Sequence, residues 1–291
     1  MGAVEPRQSR PAGPSGALET DWAGLCRRAV AAQRQIFEEA AGVEARSEYA
    51  GRGEGGDWAL VIDRLCEDAV FDELEKLAAA GASFLAVSEE RGEVGFGEGG
   101  PLRVVIDPID GSLNARRTIP SHCLSIAVAD GPGMGDVGFG YVYDFGAGEE
   151  FVATAGGGAT LDGRPIRSLG SESGLELVGI EAAKPELALP AVAALRGQVY
   201  RLRGIGSIAI SLAYVAAGRL DGMIGLRPCR SVDAAAGQLI AREAGAEVRF
   251  DGTELDRADL GIEARYPIAA AAGLDGLETL IAAQREVGKD E

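Results

Sequence analysis

The chain has 291 residues, enough for one large or two medium domains, and 46% of them are apolar, enough for a sizeable core. A formal net charge of -17 argues against nucleic acid as a partner and leaves no basic stripe for a membrane surface. The one histidine, His122, excludes a multi-histidine zinc site and any Ser-His-Asp triad not built on it, and it reads as a partly buried structural side chain.

Residues 1–18, beginning MGAVEPRQSRPAGPSG, mix charges with Pro and Gly and lack an apolar h-region, so they read as a disordered tail rather than a signal peptide. No apolar run of about eighteen residues follows, so no membrane-spanning helix is expected and the default location is the cytoplasm. From residue 20 to about 41, Trp22, Leu25, Cys26, Ala29, Ala32 and Ile36 recur at helical spacing, with Thr20 or Asp21 able to cap. Residues 43–56 lose that period and gain glycine, which predicts a mobile loop. A second helix is expected from about Asp57 to Ala80, with Trp58, Val61, Ile62, Leu65, Ala69, Leu74 and Leu77 toward the core and Asp63 on board.

Strand-like runs follow at 83–87, 102–106, 123–129, 137–143 and 150–155, separated by turn signals such as Asp130-Gly131 and Asp162-Gly163. Consecutive strands after two helices predict an N-terminal α+β half with an antiparallel sheet, residues 19–172. From Leu175 the rhythm changes to alternating strand and helix: strands at 175–180, 198–202, 221–226, 246–250 and 266–272, helices near 187–195, 207–217, 232–244 and 274–287. That alternation predicts a C-terminal α/β half, residues 173–291, with the boundary near 170–174. Cys26, Cys66, Cys123 and Cys229 are scattered with no C-x-x-C and read as reduced core residues.

The chemistry-bearing stretch is LRVVIDPIDGSLN, residues 102–114. An apolar strand runs into a turn where Asp107 and Asp110 flank a proline, Gly111 permits close backbone approach, and a helix can start at Ser112. Two carboxylates this close repel unless a cation neutralises them or one is protonated, and free N–H groups at such a turn can hold phosphate. Asp-Pro and Asp-Gly are also ordinary turn dipeptides, so this stretch alone leaves metal binding and turn geometry both open. Glu89 and Glu90 follow the strand at 83–87 as Asp107 follows its own, and Asp233 opens a helix of small residues in SVDAAAGQLIAREAG. Each has a plain alternative, a solvated pair and an N-terminal helix charge.

Taken together, S-E-E, D-P-I-D-G-S and V-D-A-A-A-G-x-x-x-x-x-E-A-G-A resemble the two signatures of the inositol monophosphatase family, magnesium-dependent, lithium-sensitive sugar phosphatases, and the likeness runs from about residue 20 to 287. LNARRTIPSHCLSIAV is similar to the branch whose members hydrolyse both inositol phosphates and fructose 1,6-bisphosphate. The resemblance implies a layered α/β/α/β/α sandwich with the site between its halves, and commonly a homodimer or homotetramer. It implies that Glu89, Asp107 and the carbonyl of Ile109 hold one Mg2+ and that Asp107, Asp110 and Asp233 share a second. It further implies that Asp63 pairs with Ser112, that with Glu89 they orient the attacking water, and that the Gly111 and Ser112 amides hold phosphate.

The chain also departs from the pattern. Its glycine-rich loop carries Arg46 and Arg52 and no lysine, which weighs against a third, weaker Mg2+; Val232 stands where many relatives have tryptophan, and the residues around Leu226 are apolar or basic where animal enzymes place an inositol-binding glutamate. Gly206, Ser207, Arg227 and Arg230 are the candidate specificity residues, with Arg201 and Arg203 nearby; guanidinium groups would suit the second phosphate of a bisphosphate sugar. The expected activity is hydrolysis of inositol 1-phosphate, with fructose 1,6-bisphosphate as alternative or second substrate and a nucleotide bisphosphate third. A magnesium-binding regulatory protein is the non-enzyme alternative.

Overall fold

A computed structural model describes residues 20–52, 58–171, 174–182 and 184–287; the expected tail and the expected helix start at Asp57 lie outside them. Helix α1 (Trp22–Glu39) is followed by the short strands β1 (Tyr49–Arg52) and β2 (Trp58–Leu60) and by α2 (Val61–Ala79). Then come β3 (Phe84–Ser88), β4 (Gly92–Phe96), β5 (Arg103–Asp110), α3 (Ser112–Arg116), β6 (Cys123–Ala129), β7 (Val137–Asp144), β8 (Glu149–Thr154), β9 (Gly158–Leu161) and β10 (Arg164–Ile166). The remainder is β11 (Leu175–Glu181), α4 (Pro185–Ala194), β12 (Val199–Arg203), α5 (Ile208–Ala216), β13 (Gly222–Gly225), β14 (Cys229–Arg230), α6 (Ser231–Glu243), β15 (Glu247–Phe250), β16 (Arg265–Tyr266), β17 (Ile268–Ala271) and α7 (Leu274–Glu286).

Two sheets carry the fold: eight strands in the order β10-β9-β8-β7-β6-β5-β3-β4, and five in the order β12-β11-β13-β17-β15. One face of the larger sheet, through Phe84, Ile106, Ile126 and Tyr141, packs on Trp22, Leu25, Phe71 and Leu74 of α1 and α2. Its other face, through Val87, Val105 and Val142, meets Leu212 of α5 and Leu239 of α6, which also cover Met223 and Ile268 of the smaller sheet. The far face of that sheet, through Val178, Ile180 and Ala269, rests on Leu277, Leu280 and Ile281 of α7. The result is a layered α/β/α/β/α sandwich.

Helix α6 lies between two sheets and is buried on nearly every side, which is why its sequence is so small: a Cβ added at Gly237 would come within 2.8 Å of Leu212. No helix among the described residues is long and apolar enough to cross a membrane.

Three expectations are corrected. Part of the predicted loop pairs instead: β1 lies antiparallel to β2, which supplies Trp58–Leu60 with ladder partners and delays the second helix to Val61. The buried face of α2 runs through Ile62, Cys66, Val70 and Leu74 together with Asp63, Glu67 and Glu73, so Leu65 is 44% exposed rather than in the core. The first sheet is not wholly antiparallel. Strand β4 turns back on one side of β3, and β5 then lands on the other side, parallel to β3.

Candidate active site

The geometry begins with Pro108. It has no N–H to give the ladder, and between Asp107 and Asp110 the pairing of β5 with β6 slips: Asp107 faces Ser125 and Asp110 faces Cys123, so three steps on β5 match two on β6. In a regular strand residues three apart point to opposite faces; the bulge returns Asp107 and Asp110 to the same face, since Ser125 and Cys123 share one. Asp107 Oδ1 accepts the Ile109 N–H at 3.0 Å, and Ser112 Oγ donates to the Ile109 carbonyl at 3.1 Å. Gly111 makes the tight corner with φ at 93°, where an added Cβ would sit 2.7 Å from the Ser121 carbonyl.

The rest of the site comes from across the sandwich. Asp110 Oδ2 accepts from Ser207 Oγ at 2.7 Å and from the Ala209 N–H at 2.6 Å, at the start of α5. Glu89 stands in the turn between β3 and β4, and Asp233 in the first turn of α6, where it accepts the Arg230 N–H at 2.9 Å. The guanidinium of Arg230 ion-pairs with Glu89 through Nη2 and lies 3.5 Å from Asp233 through Nε.

Crowding shows in the electrostatics. Burial, and then the charges of Glu89, Asp110 and Asp233, push Asp107 well above the ordinary carboxylate range. Burial and Asp233 raise Asp110 to about 8 against the Ser207 and Ala209 hydrogen bonds, and burial raises Glu89 to about 7 against the pull of Arg230. Asp63, in the first turn of α2, is raised to about 6 by burial, and its Oδ1 is a buried oxygen without a hydrogen-bond partner. These are oxygen donors in a dry setting whose mutual repulsion a hard divalent cation would relieve, so the donor chemistry fits such an ion. As placed, no three acidic, histidine or cysteine side chains among the described residues converge into a ready cage, and the Arg230 guanidinium lies between Glu89 and Asp233.

Among the sequence-predicted residues, Asp110, Glu89 and Asp233 are all brought within electrostatic reach of Asp107, with Arg230 among them. The expected hydrogen bond between Asp63 and Ser112 is not made, because Ser112 turns to Ile109. Ser207 is buried and its hydroxyl serves Asp110 and the Ile210 N–H, so it supports a carboxylate rather than facing a substrate. The Gly206 N–H is likewise committed, to Glu181 Oε2 at 2.6 Å. Arg227 is exposed, and Arg46 donates to the carbonyls of Phe37, Ala40 and Ala115.

Two functional neighbours escaped the sequence reading. Buried Glu181, at the end of β11, also accepts from Ser211 Oγ at 2.7 Å and the Ile205 N–H at 3.2 Å, and so shapes the turn before Ser207. Asn114 Nδ2 bridges that turn to the first sheet, donating to Ile205 and Ser121 carbonyls at 2.8 Å each. The signal for Glu181 was a lone acid closing the apolar run LELVGIE.

Buried oxygen donors gathered at the seam of a layered α/β sandwich are the donor chemistry of metal-dependent phosphoric ester hydrolases. Residues 21–289 match the model of the inositol monophosphatase family, and the chain belongs to that family. It is 32% identical over 265 residues to the fructose-1,6-bisphosphatase/inositol-1-monophosphatase of Methanothermobacter thermautotrophicus, covering 87% of this chain and 93% of that one. It is 34% identical over 200 residues to the Nus factor SuhB of Escherichia coli strain K12, covering 66% and 71%. A solved structure named an inositol monophosphatase-fructose 1,6 bisphosphatase superposes with a TM-score of 0.78 at 27% identity, over 91% of this chain and 100% of the other. The extragenic suppressor protein suhB of Bartonella henselae gives 0.74 at 27% identity, over 94% and 100%. The protein is a phosphoric monoester hydrolase of a metal-dependent family.

Proposed function

We propose that this enzyme releases phosphate from inositol 1-phosphate with Mg2+ as cofactor, and that the β5 bulge, which turns Asp107 and Asp110 to one face beside Glu89 and Asp233, is the feature that carries the reading. Glu89, Asp107 and the Ile109 carbonyl would hold one ion, and Asp107, Asp110 and Asp233 a second. Bound there, Mg2+ supplies water of lowered pKa and neutralises charge on the attacking and leaving oxygens. Asp63, whose buried Oδ1 lacks a hydrogen-bond partner, would orient the attacking water in concert with Glu89 and Ser112. The Gly111 and Ser112 N–H groups would hold the phosphate, and Ser207 and Ala209 fix the rotamer of Asp110. With Arg46 tied to backbone carbonyls, two ions rather than three is the expected count.

Fructose 1,6-bisphosphate is favoured as second substrate by exposed Arg227 and by the dual names of the archaeal relatives. The test is phosphate release in Mg2+ from inositol 1-phosphate, fructose 1,6-bisphosphate and a 3'-phosphonucleotide, native chain against Asp107→Asn. The substitution should abolish release; equal release by both chains would refute the site, and release from the nucleotide alone would refute the substrates. Light scattering checks the expected dimer or tetramer.

A further inference from the structure

Arg230 is the one feature of the site that the donor set does not require. It sits at the N-terminus of α6, with about a third of its side chain exposed and the rest enclosed by acids. Its Nη2 pairs with Glu89 from the larger sheet, its Nε faces Asp233 on its own helix, and its charge also reaches Asp107. One guanidinium therefore balances part of the charge of three carboxylates, Glu89, Asp107 and Asp233.

We infer that Arg230 is an exchangeable internal counter-ion: it holds Glu89 and Asp233 in the metal-free protein, and a divalent cation must displace it to use those oxygens. The reasoning rests on the metal site proposed above. A cation entering at Glu89 meets a like charge already ion-paired with that carboxylate, in a partly buried setting where such repulsion is screened far less than in water. A guanidinium and an ion drawn to one carboxylate repel each other and divide its charge between them, so the two compete for Glu89. Arg230 is thus a positioning residue acting through Glu89 and Asp233. Its removal has opposite effects on the two states, leaving the acids unbalanced without metal and easier to occupy with it.

The experiment is calorimetric titration of Mg2+, with Mn2+ as a second probe, into the full chain and into Arg230→Gln and Arg230→Lys, alongside thermal unfolding in chelator and in metal. Arg230→Gln should bind the cation about tenfold more tightly, should unfold at lower temperature in chelator, and should gain more from added metal than the native chain. Arg230→Lys, a point charge without the fork, should fall between. Unchanged or weaker cation binding in Arg230→Gln would overturn the inference, since a merely structural arginine would lose affinity along with stability. If Arg230→Gln does not fold, Arg230→Lys decides: affinity at or below the native value overturns it. Failure of the native chain itself to bind either cation would instead overturn the metal site on which the inference rests.

Discussion

Ser207 makes the support of the site measurable. Its hydroxyl has two separable tasks, accepting the Ile210 N–H at 3.1 Å as the cap of α5 and donating to Asp110 Oδ2 at 2.7 Å, and it is buried. Ser207→Ala removes both. The cap contributes about 1 kcal/mol and the bond to a buried carboxyl about 1–2 kcal/mol, for a total of about 2–3 kcal/mol. For a chain of this size that lowers the unfolding temperature by roughly 3–5 °C. Glycine at an N-cap costs only a few tenths of a kcal/mol, so Ser207→Gly isolates the Asp110 bond and should recover about 1 kcal/mol of the loss. Both variants leave Asp110 with the Ala209 N–H alone, and loss of such a supporting bond typically weakens metal binding by about 10–100-fold. Thermal unfolding in chelator and calorimetric Mg2+ titration read the two effects. Native unfolding temperature together with native Mg2+ affinity in Ser207→Gly would refute the reasoning.

Two more outcomes are expected. Gly111→Ala must place a Cβ at φ 93° and 2.7 Å from the Ser121 carbonyl, so it should lose roughly 2–4 kcal/mol in chemical denaturation and release phosphate far more slowly. Asp107→Asn keeps an acceptor for the Ile109 N–H while removing a crowded buried acid, so in chelator it should unfold about 2–4 °C above the native chain, and it should lose the stabilisation that Mg2+ confers; unfolding below the native temperature in chelator would count against the repulsion.

The parts of the fold legible in the sequence were those set by local pattern. The period of α1, the small residues of α6 and the alternation after Leu175 each follow from one face or one layer being dry. The candidate site was legible where a turn advertises itself, at D-P-I-D-G-S, since Pro108 has no donor for the ladder and Gly111 permits the corner the chain takes there. The rest needed partners far away in sequence. Strand β2 exists through its pairing with β1, and β5 runs parallel to β3 because β4 occupies the other edge. Asp63 and Glu67 are buried on α2 where polarity alone would turn them outward. Glu181 and Asn114 matter through a turn ninety or so residues from Asn114, and no local period records such a link.

The acids of the seam are also a fastening. Asp110 ties the end of β5 to the start of α5, Glu89 reaches Arg230, and Asn114 holds Ile205, so each joins the first sheet to the layer beneath it. During synthesis residues 89–110 emerge long before 205–233. Until those later residues arrive, the earlier acids stay solvated, and they crowd only when the layers close on them. Completion of the sandwich and assembly of the site are therefore coupled: the closure that crowds and dries these carboxylates is the same closure that brings Ser207 and Arg230 to them.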